Sequence, residues 1–183
     1  PARPLQTLEL TGLLPAPRQS RFTTAQQSNL ASVGMAIQRV APSGNPMVLR
    51  EVTRYQQNQY GQPDNAYSLA TTLYTLAEIF RRMKASITSK YPRHKLANNG
   101  TNFAPGQAIV TPNVIKAELV SEYALMEYDG LVENSEAFTR NLIVTRSNTD
   151  PDRVEVLYPP DIINGMRIFA VLGQFRLQYP VTQ

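Results

Sequence analysis

The chain has 183 residues and a formal net charge of +4; 42% of its residues are apolar and 17% are charged. This length is enough for one ordinary domain with its own core, and the small share of charged residues indicates that part of the surface contacts protein rather than water. The absence of cysteine excludes disulfide bonds and thiolate metal sites, and a single histidine argues against a histidine-based metal site.

The opening residues "PARPLQTLEL" lack the pattern of a signal peptide, and no apolar run approaches the roughly 20 residues of a membrane helix. We therefore expect a soluble protein that is not exported by a cleaved leader. Because the chain starts with Pro1 rather than Met, we also expect it to be a piece or a processed form of a longer polypeptide. The net charge permits an acidic partner but is far below the clustering typical of nucleic-acid-binding proteins.

The first third of the chain predicts a connector, a short helix and a hairpin. Residues 1–22 contain "LLPAPRQ", whose prolines favour an extended, irregular connector. The segment "FTTAQQSNLAS" predicts a short helix capped by Thr23 or Thr24. The strands "VGMAIQRV" and "MVLREVTRY" then flank the turn-rich "APSGN" and predict a β-hairpin. In the polar loop that follows, Asp64 or Asn65 is placed to cap the next helix.

Two long helices dominate the middle of the chain. The first is ended by "KYP" and carries one apolar stripe with helical spacing: Leu69, Leu73, Leu76, Phe80, Met83 and Ile87. The second starts at a cap, Thr111, followed by Pro112 in the first helical position, and Gly130 ends it. One face of this second helix is apolar: Ile115, Leu119, Tyr123 and Met126.

The last third predicts a short helix from Ser135, capped by Asn134, and a second hairpin over 142–157, in which "LIVTR" and "RVEVLY" flank the turn "SNTDPD". The fold class is therefore α+β, with hairpins packed against two main helices. A final strand is predicted from Arg167 to Tyr179.

The two faces of that final strand differ along its length. One face is apolar throughout: Phe169, Val171, Phe175, Leu177 and Tyr179. The opposite face is apolar in its first half, at Ile168, Ala170 and Leu172, and polar in its second, at Gln174, Arg176 and Gln178. We expect the strand to start in a core and run outward. It either completes a sheet of its own chain or pairs with another chain, because its edge has few features that would prevent such pairing.

Catalytic motifs are weak. There is no glycine-rich phosphate loop, and no Ser or Cys lies in a nucleophile motif beside His94, which is more simply a structural loop residue. Glu118 and Glu122 lie one helical turn apart and could form a carboxylate pair, but exposed acids at this spacing usually form a solvated face. We predict no enzymatic activity, no cofactor and no metal.

A basic cluster is the main charge feature: Arg81, Arg82, Lys84, Lys90, Arg93, His94 and Lys95. It is either the solvated back face of the first long helix plus a basic loop, or a docking surface for an acidic partner. Nucleic acid is the weaker alternative, because only Tyr91 is interleaved as a stacking aromatic residue.

Long stretches of the sequence also resemble a known family. The segments "KYPRHKLANNGTNFAPGQAIVTPNVIKAEL" and "DGLVENSEAFTRNLIVTRSNTDPDRVEVLYPPDIINGMRIFAVLGQFRL" resemble the C-terminal part of the tail sheath proteins of Mu-like contractile phages, and "PARPLQTLEL" is similar to it too. The resemblance implies a helical polymer around an inner tube, which contracts to drive the tube through a host envelope. Related sheaths occur in tail-like bacteriocins and secretion systems, which are alternative parent particles.

The resemblance also implies an organisation and a set of partners. We expect a connector at 1–22, a sheath C-terminal domain at 23–172 and a C-terminal arm at 173–183 that is exchanged between subunits, with the hairpin 142–157 as the receiving or adjoining sheet. The expected partners are other copies of the chain, the inner tail tube protein, and baseplate and tail terminator proteins, in a virion assembled in the host cytoplasm. The residues predicted to face the tube are basic: Arg81, Arg82, Lys84, Lys90, Arg93 and Lys95, with Lys116 as an outlier. The alternative is that the acidic second helix faces the tube.

Overall fold

The computed structural model describes residues 3–177 and has the predicted α+β class. After a 3₁₀ turn at Arg18–Ser20, the elements are α1 Thr24–Ser32, β1 Ile37–Val40, β2 Pro46–Arg50, α2 Ala70–Lys90, β3 Lys95–Leu96, β4 Ile109–Val110, α3 Pro112–Tyr128, α4 Ser135–Asn141, β5 Ile143–Arg146 and β6 Val154–Leu157. Helices α2 and α3 pack against each other, and β5 and α4 pack against α3.

The first hairpin forms as predicted, with β1 and β2 antiparallel. Thr23 caps α1 in a reciprocal arrangement with Gln26: the Thr23 side chain accepts a hydrogen bond from the Gln26 N–H, and the Gln26 side chain accepts one from the Thr23 N–H. The predicted connector is not irregular throughout. Its residues 7–10 hydrogen-bond to the outer edge of β2, at Pro46 and Val48, and so extend the hairpin to three strand-like segments.

Helix α2 ends where predicted but begins later than the predicted cap implies, and its predicted stripe is only partly buried. Met83 and Ile87 pack against the core, whereas Leu73 and Phe80 are 41% and 43% exposed. The buried residues of the helix are Thr75, Ile79 and Ser86. The two buried hydroxyl groups donate to backbone carbonyl groups of the helix itself, so their burial leaves no unsatisfied donor.

The predicted cap of α2 is wrong. The cap residue is Leu69, without a side-chain hydrogen bond. The first helical N–H, of Ala70, instead donates to the backbone carbonyl group of Glu51. The Asp64 carboxylate accepts hydrogen bonds from the N–H of Ala66 and the hydroxyl group of Tyr55 within the preceding loop.

Helix α3 follows its sequence signals closely. The Thr111 hydroxyl group accepts from the Val114 N–H, and Pro112 occupies the first turn. At the other end, Gly130 has a φ of +74°, its N–H donates to Glu127, and the Leu131 N–H donates to Met126. These two bonds form a Schellman motif, which requires a left-handed residue at this position. The predicted apolar face is buried along its whole length.

The main core lies between α3, α4 and the second hairpin. Its fully or nearly buried side chains are Ile79, Val110, Ile115, Leu119, Tyr123, Met126, Leu131, Val132, Phe138 and Leu142. The rings of Tyr123 and Phe138 stack with their centroids 3.7 Å apart, and Tyr158 meets Phe138 edge-on.

Helix α4 begins where the sequence predicts, and Asn134 is its N-cap residue. Asn134 is left-handed, with a φ of +59°, and its side chain donates to Asp161 instead of accepting a hydrogen bond from a helical N–H. The Glu127 carboxylate of α3 accepts the first helical N–H, from Ser135, instead. Hydrogen bonds with Ser135 hold the pKa of Glu127 below its usual value.

Two remaining pairings complete the fold. The predicted second hairpin is confirmed, with β5 and β6 antiparallel and Val144 opposite Val156. A short parallel pairing of β3 with β4, within the segment predicted as a loop, was not anticipated. It joins the end of α2 to the start of α3.

Candidate assembly surfaces

The end of the described chain lies apart from the core. The last backbone pairings are the bridge between Val132 and Ile162 and the bond from the Ile163 N–H to Leu131. Within residues 3–177, residues 164–177 form no hydrogen bond, helix or strand. We call residues 164–177 the terminal segment. It starts at a close crossing, where a Cβ atom on Gly165 would lie 2.6 Å from the ring of Pro4.

The apolar side chains of the terminal segment are in solvent. The four predicted pairing residues that the structure describes are 70–95% exposed: Phe169, Val171, Phe175 and Leu177. Tyr179 lies outside the described residues. The prediction that the first half of the strand lies in the core is wrong, because Ile168 and Leu172 are also more than 80% exposed. A strand is defined by its partner strands, and the described chain supplies none here.

The hairpin β5–β6 has two open edges. The Ser147 N–H donates to Arg153 across the hairpin, and in an antiparallel pair the bonded positions alternate. The backbone groups of Val144 and Val156 therefore point outward, and no hydrogen bond reaches them within residues 3–177. Ile143 and Leu157 are also 52% and 60% exposed. The hairpin can thus accept a strand at either edge.

Two of the predicted tube-facing residues are used inside the chain. Arg82 binds Glu122 at 2.9 Å and Asp129 at 2.6 Å, and its side chain is only 21% exposed. The hydrogen bond with Asp129 raises the pKa of the Arg82 guanidinium. Lys90 binds Glu118, whose side chain is 14% exposed, and this contact raises the pKa of Lys90.

These contacts form an ion-pair seam between α2 and α3. The prediction of a solvated back face is wrong for Arg82, because that side chain lies between the helices. The interpretation of Glu118 and Glu122 as a solvated face is also wrong, since each carboxylate neutralises a cation of α2. Their helical spacing serves helix packing.

The other predicted basic residues are exposed. Arg81 pairs with Glu78 on the surface of α2. Lys84, Arg93 and Lys95 form no salt bridge within residues 3–177, and all three are exposed. Lys116, the outlier, is half-buried on α3 without a salt bridge in this part of the chain, and exposed His94 meets the Tyr91 ring edge-on at 5.2 Å.

The described residues contain neither a metal-binding cluster nor a membrane-spanning helix. Between residues 3 and 177, no group of three or more His, Asp or Glu side chains is arranged to hold a metal ion. None of the helices described in that range combines the length and apolar character needed to cross a membrane. The surface features described above are an exposed apolar segment, an open hairpin and several exposed basic side chains.

A sequence family described as the phage tail sheath C-terminal domain matches residues 62–176, more than half of the chain. The chain belongs to this family. The resemblance noted from the sequence is thereby confirmed.

Individual relatives agree with the family. The Mu-like prophage FluMu tail sheath protein of Haemophilus influenzae is 40% identical over 177 residues, which is 97% of this chain and 36% of that protein. The crystal structure of a sheath tail protein from Desulfitobacterium hafniense shares the fold, with a TM-score of 0.62 at 15% identity, covering 91% of this chain and 35% of that one. The chain thus spans about a third of the length of either relative.

Proposed function

We propose that this chain is the C-terminal part of a contractile sheath subunit, which polymerises helically around an inner tail tube and contracts to drive the tube through the host envelope. Membership of the sheath family supports the structural role. The observation that carries the mechanism is the terminal segment, whose apolar side chains are exposed although the sequence has the alternation of a strand. No catalytic activity, cofactor or metal is part of this function.

In the proposed polymer, the terminal segment of one subunit pairs with the open edge of β5 or β6 in a neighbouring subunit. Strand addition supplies main-chain hydrogen bonds for affinity and alternate side chains for specificity. The exposure of Ile168 and Leu172 supports an arm that starts near residue 164 rather than 173. A flexible link of this kind keeps subunits joined while they swing during contraction.

Contact with the tube is proposed for the exposed basic residues Lys84, Arg93 and Lys95. Arg82 and Lys90 are less suited to it, because carboxylates of α3 already neutralise them. Screened surface charges suit a contact that must release during contraction. Reversing all three residues to Glu should impair co-assembly with the tube, whereas Arg140→Glu, a charge change on exposed α4, should not. Equal co-assembly of both variants with the tube would contradict the assignment of these three residues to the tube contact.

The polymerisation proposal is tested with the full-length sheath protein, by sedimentation and electron microscopy of the assembled particle. Backbone pairing of residues 168–177 with a neighbouring subunit is the expected result. Pairing of these residues only with strands of their own chain would contradict arm exchange. The alternative is that the chain belongs to the sheath of a related contractile injection particle, such as a tail-like bacteriocin. Electron micrographs of the whole particle distinguish the two by the structures attached to the sheath.

A further inference from the structure

The first hairpin has an open edge that lies in an apolar groove. On β2, the N–H and C=O groups of Val48 bind residues 7 and 8, so the neighbouring residue Met47 faces β1 and bonds with Arg39. By the same alternation, the backbone groups of Gln38 and Val40 point away from β2. No hydrogen bond within residues 3–177 reaches any of these four groups.

The groove along this edge has a volume of about 660 Å³. Residues 36–40 line it along the β1 edge, and Pro15, Phe22 and Leu30 contribute apolar surface. The lining also includes Pro46 and Val48 of β2 and the basic residues Arg21 and Arg39. Glu51 also lines the groove and is only 6% exposed. Thr71 donates to one of its carboxylate oxygens, but the other oxygen has no hydrogen-bond partner in the described chain. A buried acceptor without a donor is unfavourable, so the site is incomplete.

The region around the groove also lacks a core of its own. In residues 3–61 the buried apolar side chains are Ile37, Ala41, Pro46 and Met47, and none belongs to the main core cluster. Large apolar residues are instead about half exposed or more: Leu8, Leu13, Leu14, Phe22, Val33 and Met35. An exposed apolar surface of this kind is typical of a region that packs against another part of a larger protein.

We propose that the edge of β1 receives a strand from the remainder of the same sheath polypeptide, so that residues 3–61 complete a domain other than the C-terminal one. The family match begins at residue 62, after the groove. In the relatives, nearly two-thirds of the protein lies outside the aligned part. A remainder of this length is long enough to contribute a strand. The incoming strand pairs with Gln38 and Val40, packs apolar side chains on Phe22 and Leu30, and carries a Lys or Arg whose donor reaches Glu51 after a rotation of its carboxylate.

This inference depends on family membership and not on polymerisation or contraction, so the test uses unpolymerised protein. Amide hydrogen exchange is compared between the 183-residue chain and the full-length sheath subunit, at concentrations where sedimentation shows a monomer. We expect the amides of Gln38 and Val40 to exchange roughly tenfold or more slowly in the full-length monomer. The amide of Arg39, which bonds within the hairpin in both proteins, is the matched control.

Two outcomes would overturn the proposal: no added protection in the full-length protein, or protection that develops only in the polymer, which assigns the edge to a second copy. A Val40→Pro variant gives an independent measurement, since it removes an outward donor without touching the bonds to β2. It should lower the Tm of the full-length monomer and leave that of the 183-residue chain unchanged. An equal shift in both proteins contradicts an added strand.

Discussion

Replacing Phe169 and Phe175 with Ser separates the stability of the subunit from its ability to assemble. In the single chain these rings are 83% and 86% exposed. Full burial of a phenylalanine side chain contributes about 1.5–3 kcal/mol, so the small buried fractions contribute together less than about 1 kcal/mol. The double variant should therefore unfold at nearly the same temperature as the parent chain.

Assembly should respond very differently. If both rings are buried against a neighbouring subunit, their loss weakens each subunit contact by about 3–6 kcal/mol. That is a reduction of roughly two to four powers of ten in the association constant. Thermal unfolding followed by circular dichroism measures the first quantity, and sedimentation of the full-length sheath protein over a range of concentrations measures the second.

The control for this experiment is Gln174→Ser, which changes the opposite face of the same segment and should leave assembly intact. Two results would refute the reasoning. One is polymerisation of the double variant at the same concentration as the parent protein. The other is a loss of several kcal/mol of unfolding free energy in the isolated chain, which would mean that the rings already belong to a core.

Three other predictions concern the fold. Glu122→Gln removes one charge from the half-buried seam between α2 and α3 and should lower the free energy of unfolding by about 1–3 kcal/mol; Glu136→Gln, in an exposed pair, should cause no measurable change in the same denaturation assay. Burial raises the pKa of Tyr158, whose hydroxyl group has no partner in the described chain. The folded state therefore holds the hydroxyl proton more tightly than the unfolded chain does, and the free energy of unfolding falls as the pH rises above about 10. Tyr158→Phe should be no less stable at pH 7, and its melting temperature should fall less steeply with rising alkaline pH. Gly130→Ala, at a φ of +74°, should cost about 1–2 kcal/mol in chemical denaturation, whereas Gly173→Ala, with open space around it, should cost nothing detectable.

Helix α3 shows what a sequence pattern can predict. A capping threonine, a proline at the first position, a regular apolar face and a glycine at the end all act within a few residues of one another. Each of them therefore has the same effect whatever the rest of the fold does, and all four predictions agree with the structure.

Helix α2 shows where the same reasoning fails. Its apolar stripe was predicted correctly as a helical pattern, but the choice of buried face depends on the partner helix. Thr75 and Ser86 are buried because their hydroxyl groups bind the helix backbone, while Phe80 stays partly exposed beside Tyr158. Hydrophobicity alone does not report that a polar side chain is satisfied.

The interpretation of Arg82 as part of a solvated face is wrong for a related reason. Arg82 pairs with residues 40 and 47 positions away, and a charge read from the sequence does not reveal its long-range partner. A signal was nevertheless available. The first helix carries Arg82 and then Lys90, and the second carries Glu118 and then Glu122. Antiparallel packing of the two helices brings these charges together in that order, as Arg82 with Glu122 and Lys90 with Glu118.

The root of the terminal segment is anchored in the core, and this bears on how force would pass through a sheath. The Tyr123 hydroxyl group, fully buried, donates to the Glu133 carbonyl group at 2.8 Å and accepts from the Asp161 N–H at 3.0 Å. The bridge from Val132 to Ile162 follows directly. A pull on the terminal segment by a neighbouring subunit would therefore reach α3 through these bonds, and the ion-pair seam would carry it on to α2. If the proposed arm exchange holds, we expect the domain to move as a rigid body, with the change of direction between subunits confined to the few residues after Ile163.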